Sequence, residues 1–225
     1  MKRQKGYIKE DSIKLSKSDM ELLHKDGEIK KDGHIIQFNE DLLEAVISGN
    51  KSETLVIFDL DDTLVITDAK IKLVDPKTSK IVKSLTPEQF NDFKDKGKYI
   101  MNFEDFESPE ILQRGKIIHS IFRQLKKFYK RGIPIAIVTA RSSSELVSNF
   151  FLTKGIPIHK DLVIAVNDTQ YGFKGTIEDR KKEAILGLID RGFSYIVFYD
   201  DSEKNLRAVK KIERERKVKI ITTKV

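Results

Sequence analysis

The stretch LVIFDLDDTLV, residues 55–65, decides the fold. Its first four residues are apolar without a break, which is typical of a parallel strand that is buried on both faces. The strand leads directly into a polar segment that contains Asp59, Asp61, Asp62 and Thr63. Open α/β sheets bind ligands at the carboxyl ends of their strands, so this segment is a candidate site.

The carboxylates of this segment favour a bound cation. Carboxylates packed together repel one another unless a cation lies among them, and their hard oxygen atoms suit Mg²⁺ better than Zn²⁺. A turn or helix cap would explain one such residue, but it is a weak explanation for four within five positions. An EF-hand calcium loop is excluded, because Leu64 occupies the position of its glycine and Lys70 that of its final glutamate.

The composition predicts a charge-rich globular protein. Of the 225 residues, 39% are hydrophobic and 34% charged, and the longest apolar runs have the length of strands, so no transmembrane span is expected. The absence of cysteine excludes disulfides, thiolate chemistry and cysteine-based metal sites. No apolar segment follows the basic N-terminus, so no secretory signal is expected, and a cytoplasmic location is the default expectation (the host cytoplasm for a viral protein).

The net charge of +7 favours polyanionic partners such as nucleic acids or phosphorylated substrates. Acidic residues are interspersed almost everywhere and no long basic block stands out, so abundant surface lysine explains the charge equally well. Nucleic-acid contact therefore stays open, and no membrane partner is expected. The sequence does not indicate an oligomeric state.

The chain divides into an N-terminal appendage and a core with an insertion. Residues 1–53 are predicted to form a helix, a hairpin and a second helix, and residues 54–225 form the core. The insertion, at about residues 66–108, is predicted to be a small α+β cap with a hairpin turning at Asp75 and a helix capped by Thr86. Its aromatic residues suit a small core better than a stacking surface for a base.

The remainder of the chain alternates between strands and helices. Helices are predicted at residues 111–130, 142–152, 177–190 and 203–214. Strands are predicted at residues 133–141, 161–166, 194–201 and 218–224. This order predicts an α/β fold, a Rossmann-like doubly wound parallel sheet with helices on both faces.

Four polar signals fall at strand ends or helix starts of this sheet. They are the Asp59/Asp61/Thr63 segment, Thr139, the Lys181/Lys182 pair, and Asp200 with Asp201. The strand-end residues converge because the carboxyl ends of parallel strands meet at one edge. Such a set suits phosphoryl transfer, in which a carboxylate attacks phosphorus, a second carboxylate transfers protons, Mg²⁺ offsets charge, and a hydroxyl and a lysine hold the phosphoryl oxygens.

Lys181 is the better candidate for the phosphate-binding lysine. It falls in register with Ala184, Ile185 and Leu188 on the inward stripe of the predicted helix, whereas Lys182 lies on the flank. A solvated position remains about as plausible for either lysine alone.

The segments FDLDDTL, IVTAR, the Lys181/Lys182 pair and YDDSEKN resemble, in order and in strand context, the four motifs of the haloacid dehalogenase superfamily. The resemblance covers about residues 54–225 and implies a Mg²⁺-dependent phosphomonoesterase that works through an aspartyl-phosphate intermediate. It implies that Asp59 is the nucleophile and Asp61 the general acid/base.

The resemblance also assigns the remaining site residues. Thr139 binds the phosphoryl group, with Lys181 beside it, and the other substrate-binding residues are Thr63, Arg141 and Lys182. The expected metal residues are Asp59, Asp61 through its backbone carbonyl, Asp201 as a direct ligand, and Asp200 in support. Asn205 occupies a position where the superfamily often has a second acidic residue.

The carboxylate of Asp61 favours phosphatase activity, because dehalogenases of this superfamily lack it. The chain also looks like uncharacterised phosphatases of tailed phages and, more loosely, like the phosphatase half of polynucleotide kinase-phosphatases. No GxxxxGK[ST] kinase loop accompanies it. The expected substrate is a nucleotide, a nucleic-acid end or a small phosphorylated metabolite.

Two other functions compete with this one. The first is a catalytically silent protein of the same fold with a nucleic-acid-binding or virion-associated structural role, against which the complete set of motif residues argues. The second is a receiver domain, whose phosphorylated aspartate follows the third strand. Here the third strand ends in Val166, Asn167 and Asp168, and a second acidic pair follows the fourth strand, so this alternative is disfavoured.

Overall fold

The computed structural model describes residues 53–225 of the chain. The expected N-terminal appendage therefore lies outside the described residues, apart from Glu53. Within the described range, no helix combines the length and the apolar character that crossing a bilayer requires.

Residues 53–225 contain ten strands and seven α-helices. Along the chain they are β1 (Thr54–Phe58), β2 (Val65–Ile66), β3 (Ile71–Val74), β4 (Ile81–Leu85), α1 (Pro87–Asp92), β5 (Ile100–Asn102), α2 (Pro109–Arg114), β6 (Lys116–Ile117), α3 (His119–Lys130), β7 (Ile135–Thr139), α4 (Ser144–Thr153), β8 (Val163–Ala165), α5 (Ile177–Ile189), β9 (Tyr195–Asp200), α6 (Glu203–Lys210), α7 (Ile212–Glu215) and β10 (Lys219–Lys224).

A five-stranded parallel sheet in the order β10-β9-β1-β7-β8 forms the centre of the molecule. β1 is the middle strand, and all five of its residues are buried, as its unbroken apolar sequence predicts. The prediction of an α/β fold with a parallel sheet flanked by helices is confirmed, and this architecture is compatible with a Rossmann-like fold.

Successive residues of β1 point into two separate cores, because side chains alternate along a strand. Val56 and Phe58 belong to a core with α3 and α4, whereas Leu55 and Ile57 belong to a core with α5, α6 and α7. Burying each Leu, Ile or Phe side chain contributes about 1.5–3 kcal/mol. Helices on both faces leave the carboxyl edge of the strands open for a site.

An insertion, residues 67–115, leaves and re-enters the core through a pair of short antiparallel strands. Val65 of β2 pairs with Ile117 of β6, so the segment extends beyond the expected end at about residue 108. It contains a three-stranded antiparallel sheet in the order β4-β3-β5. The expected hairpin is present, and the Asp75 carboxylate accepts hydrogen bonds from the backbone N–H groups of Lys77 and Thr78 in its turn.

The expected helix after Thr86 is also confirmed. Thr86 and Gln89 form a reciprocal capping box at the start of α1, which satisfies two backbone donors. Aromatic rings of the insertion pack together as expected of a small core, with the Phe90 and Phe103 centroids 5.8 Å apart. Phe103 nevertheless keeps 44% of its surface exposed.

The prediction of one helix over residues 111–130 is wrong. α2 ends at Arg114, the chain forms β6, and α3 begins at His119. A Cβ atom on Gly115 would lie 2.8 Å from Val65 Cγ1 and 3.0 Å from a Thr67 methyl carbon, so only glycine lets the chain pass this close to β2. The predicted helix over 203–214 is likewise divided, into α6 and α7.

Candidate active site

A tight loop after β1 carries the first motif. The Asp59 N–H donates to the Tyr199 carbonyl at 2.9 Å, which extends the pairing of β1 with β9 to the first aspartate. The chain then folds back, and the N–H groups of Leu64 and Val65 both donate to the Leu60 carbonyl. The loop buries Asp59, whereas Asp61 stays partly exposed.

Lys181 lies between two buried carboxylates. α5 begins at a capping box formed by Thr176 and Asp179, which places Lys181 on the helix face that packs on the sheet. Its Nζ donates to Asp59 Oδ1 at 2.8 Å and to Asp200 Oδ2 at 2.7 Å, and the residue is only 2% exposed. The inward register predicted for Lys181 is therefore correct.

Lys182 is not part of this cluster. Its Nζ lies 2.6 Å from Glu215 Oε1 at the surface, where α5 meets α7. The helical periodicity that turns Lys181 inward turns its neighbour outward, so the two adjacent lysines have different surroundings.

Asp200 is fully buried, and both of its carboxylate oxygens have hydrogen-bond donors. Oδ1 accepts from the Ser202 N–H at 2.8 Å and from Asn205 Nδ2 at 2.9 Å. Oδ2 accepts from Lys181 Nζ and from the same Asn205 amide at 3.1 Å. Asp200 therefore holds Lys181 in place, and Asn205 supports Asp200. In the sequence, Asn205 stands out only as a departure from a motif. The available signal was its place in the first turn of α6, five positions after Asp200.

Thr63 connects the ends of β1 and β9. Its hydroxyl accepts a hydrogen bond from the Asp201 N–H at 3.1 Å and donates one to Asp59 Oδ2 at 3.4 Å. The side chain is fully buried. Thr63 was expected to bind substrate, but in this structure its hydroxyl is used to fix the relative positions of two carboxylate-bearing loops.

Arg141 pairs with Asp61 through two hydrogen bonds, and it also reaches the insertion. Nε donates to Asp61 Oδ2 at 2.9 Å, Nη2 donates to Oδ1 at 2.7 Å, and Nη1 donates to the Phe106 carbonyl at 2.6 Å. The Arg141 side chain is 1% exposed and that of Asp61 is 23% exposed. Arg141 was expected to bind substrate, whereas here its guanidinium is occupied by Asp61 and the insertion.

Thr139 lies at the end of β7, where the sequence places it, and it is fully buried. Its hydroxyl accepts a hydrogen bond from the Arg141 N–H at 3.4 Å. Asn167 Nδ2 donates to the Ala140 carbonyl at 2.6 Å, and Asn167 in turn accepts a hydrogen bond from Arg180. The loop that presents Thr139 and Arg141 is thus held from the end of β8, by a residue that the sequence did not single out.

The electrostatics of the cluster follow from burial and from close like charges. Burial, reinforced by Asp200 and opposed by Lys181, raises the pKa of Asp59 to about 8. Burial and the neighbouring Asp200 carboxylate raise the pKa of Asp201 to about 6. Burial lowers the pKa of Lys181, but the two carboxylates outweigh that effect and hold it above its ordinary value. Lys181 is therefore cationic at neutral pH.

The acidic residues of the cluster fit a divalent cation. Asp59, Asp200 and Asp201 each offer a carboxylate oxygen, and these three oxygens lie within 4.8 Å of one another. With all three carboxylates ionised, the Lys181 ammonium group leaves the cluster with a formal charge of −2. Each Asp200 oxygen already accepts two hydrogen bonds, whereas each Asp59 oxygen accepts one. Asp59 and Asp201 are therefore the carboxylates best able to act as ligands, and such hard oxygens suit Mg²⁺.

No family model matches the chain, and comparison with curated proteins gives no significant match. The fold and the site therefore carry the functional argument. They define an α/β protein with a parallel sheet and an acidic cluster, which also contains a buried lysine, at the carboxyl edge of that sheet.

Proposed function

We propose that this chain is a Mg²⁺-dependent phosphomonoesterase of the haloacid dehalogenase superfamily. The observation that carries the proposal is the position of Lys181, whose Nζ joins Asp59 to Asp200 at the carboxyl edge of the sheet. A buried ion pair contributes little to stability compared with apolar packing, so it is weakly explained as a structural device. Titratable groups with shifted pKa values at the ligand-binding edge of an α/β sheet indicate a functional site.

Asp59 is the proposed nucleophile. One of its oxygens forms a bond to the phosphorus of a phosphomonoester while the bond from phosphorus to the alcohol oxygen breaks. Asp61 gives a proton to the departing alcohol oxygen, for which one of its two carboxylate oxygens must first part from Arg141. Asp61 then takes a proton from a water molecule whose oxygen attacks the phosphorus. This second step releases inorganic phosphate and regenerates the Asp59 carboxylate.

The other residues position these groups or offset charge. Lys181, hydrogen-bonded to Asp59 Oδ1, favours the ionised nucleophile and offsets the charge of the phosphoryl oxygens. Thr139 is the proposed hydroxyl donor to the phosphoryl group. Asp59, Asp201 and the Asp61 backbone carbonyl would hold Mg²⁺, which when bound lowers the repulsion between the anionic substrate and the carboxylates.

The insertion is the proposed cap over the site. Its Phe106 carbonyl accepts a hydrogen bond from Arg141, and Glu107 accepts one from the Ser142 hydroxyl at 2.8 Å, so it contacts the loop after β7. A segment in this position can exclude water and select the alcohol part of the substrate. We propose that the substrate is a nucleotide, a nucleic-acid end or a small phosphorylated metabolite.

Phosphate release from an aryl phosphate tests the proposal. Wild type with Mg²⁺ is expected to turn over, whereas Asp59→Asn, or wild type with EDTA, is expected to be inactive. Asp161→Asn is the matched control because Asp161 is exposed and lies on the amino side of β8. Thermal unfolding of each variant shows whether it has folded.

The proposal would be contradicted if folded wild type released no phosphate from the aryl phosphate or from a panel of nucleotides, phosphorylated oligonucleotides and sugar phosphates. That result would instead support a catalytically silent protein of this fold.

A further inference from the structure

One part of the chain departs from the even mixture of charges expected from the composition. Residues 111–160 contain ten lysines and arginines but a single acidic residue, Glu145. α3 lies in this segment and contains no acidic residue. The expectation that acidic residues are interspersed almost everywhere is therefore wrong for this region.

The basic residues of α3 lie on one side of the helix. Positions 119, 123, 126, 127 and 130 fall within about one third of the circumference at 100° per residue. We call this set the basic stripe; it consists of His119, Arg123, Lys126, Lys127 and Lys130. The opposite side is apolar and packs on the sheet, with Ile121, Leu125 and Phe128 almost completely buried. The outward side of α3 thus carries basic side chains, of which His119, Lys126 and Lys130 are exposed and Arg123 and Lys127 half-buried.

Only some residues of the basic stripe can be explained by a contribution to the stability of α3. Cations near a helix C-terminus interact favourably with the helix dipole, which suits Lys127 and Lys130. The same dipole disfavours a cation in the first half of the helix, where Arg123 lies. Like charges three or four positions apart are also destabilising. A helix that carries this pattern has a charge distribution that an anionic partner would stabilise.

We propose that the basic stripe binds the phosphate backbone of a nucleic acid. The stripe spans about 17 Å, at 1.5 Å per residue, which is enough to contact several successive phosphates. An anionic membrane is the less suitable partner, because an interfacial helix must insert its apolar face, and that face of α3 is buried in the core.

The stripe begins beside the candidate active site. The Ile118 N–H donates to the Leu64 carbonyl at 2.9 Å, so α3 starts against the loop that carries Asp59 and Asp61. The helix then runs along the flank of the sheet toward the opposite edge, where β7 begins. A polynucleotide whose phosphorylated end occupied the site would lay its backbone along the stripe. This last step rests on the proposed function, whereas binding by the stripe does not.

Binding of labelled oligonucleotides to the full chain tests the inference. Fluorescence anisotropy would follow single-stranded and duplex oligonucleotides between about 50 and 200 mM salt, the range over which phosphate contacts weaken steeply. The test variant is Lys126→Glu/Lys130→Glu, because both lysines are exposed. We expect its affinity at the lower salt concentration to fall at least about tenfold, and the salt slope for single strands to fall by about 1.4, at about 0.7 per lost contact.

The matched control is Lys211→Glu/Lys217→Glu, which makes the same charge change at two exposed positions next to α7, beyond the other face of the sheet. It should change the affinity less than about threefold, since only long-range electrostatics are altered. Both double variants should remain folded, as thermal unfolding would show. Both should keep wild-type turnover of the aryl phosphate, because none of the four lysines belongs to the proposed site.

Three results would overturn the inference. The first is that the Lys126→Glu/Lys130→Glu variant binds oligonucleotides as tightly as wild type. The second is that the control variant loses as much affinity as the test variant. The third is that the protein binds phosphatidylserine vesicles but not oligonucleotides. Failure of the proposed function gives a different pattern, with no phosphate release but with oligonucleotide binding that depends on the stripe. Phosphate release without oligonucleotide binding would leave the proposed function intact and would contradict the proposed role of the basic stripe.

Discussion

The guanidinium group of Arg141 donates two hydrogen bonds to the Asp61 carboxylate and a third to the Phe106 carbonyl. One buried side chain thus connects the loop after β1, the end of β7 and the insertion. Because Asp61 is the proposed proton-transfer group, its orientation depends on where the insertion lies.

Replacing Arg141 should therefore impair turnover. We expect Arg141→Gln to lower kcat/KM for an aryl phosphate by about 10² or more, since a positioned general acid contributes about 10²–10⁴-fold. Arg141→Lys should have a kcat/KM little higher than that of Arg141→Gln, because an ammonium group cannot make two parallel hydrogen bonds to a carboxylate. Steady-state kinetics would measure both variants.

Arg114→Gln is the control for Arg141. Arg114 makes a similar pair with Asp68, but both side chains are more than half exposed. Turnover by this variant should match wild type. Full activity in Arg141→Gln would show that Asp61 does not need this partner.

The adjacent lysines of α5 should differ sharply in their effect on stability. Lys181→Met leaves Asp59 and Asp200 buried without their cation, and we expect it to lower the free energy of unfolding at neutral pH by about 3–5 kcal/mol. Lys182→Met removes a surface pair with Glu215 and should change it by less than about 1 kcal/mol. Urea denaturation measures both, and equal effects would contradict the buried position of Lys181.

The acidic cluster predicts that, with no cation bound, the free energy of unfolding decreases as the pH rises. The pKa values of Asp59 and Asp201 are raised to about 8 and about 6, from an ordinary value of 3.8. The folded chain therefore binds more protons than the unfolded chain between these values. The stability that the protonated groups contribute is present at low pH and is lost as the pH rises through the folded pKa values.

Thermal unfolding with and without Mg²⁺ tests this prediction. We expect Mg²⁺ to raise the Tm more at about pH 8.5 than at about pH 5.5, because metal ligands must be deprotonated. Asp59→Asn removes one ligand and should reduce the effect of Mg²⁺ at the higher pH. A shift in Tm that is the same at both pH values would argue against a metal site at these carboxylates.

Asp62 adopts a left-handed backbone conformation within the loop of the first motif, with φ at 58°. Aspartate tolerates this region better than most residues, and a β-branched side chain does not. Asp62→Val should therefore destabilise the protein by about 1–2 kcal/mol, whereas Asp62→Gly should be close to neutral. Urea denaturation would compare the two, and equal stability would show that the loop can relax.

The central part of the fold could be predicted because its signals are local. The unbroken apolar run of β1 identifies a strand buried on both faces, and the helical register of α5 turns Lys181 inward. The convergence of Asp59 with Asp200 needs one further rule, that the carboxyl ends of parallel strands share an edge.

The remaining features depend on contacts between residues far apart in the chain. Arg141 and Asp61 are 80 positions apart, and their pairing depends on the course of the insertion. The end of α2 at Gly115 follows from the nearness of β2, which helical periodicity cannot reveal. The basic stripe was visible in the sequence, but a net charge averaged over the whole chain concealed it.

The pairing of Val65 with Ile117 has a consequence for how this protein can diversify. The two ends of the insertion are neighbours, so the cost of closing the segment between them rises only slowly with its length. Residues 67–115 can accordingly be lengthened, shortened or exchanged by recombination without moving a strand of the parallel sheet. A replaced insertion would keep the carboxylates at the edge of the sheet, and it would need a carbonyl in the place of that of Phe106 to hold Arg141.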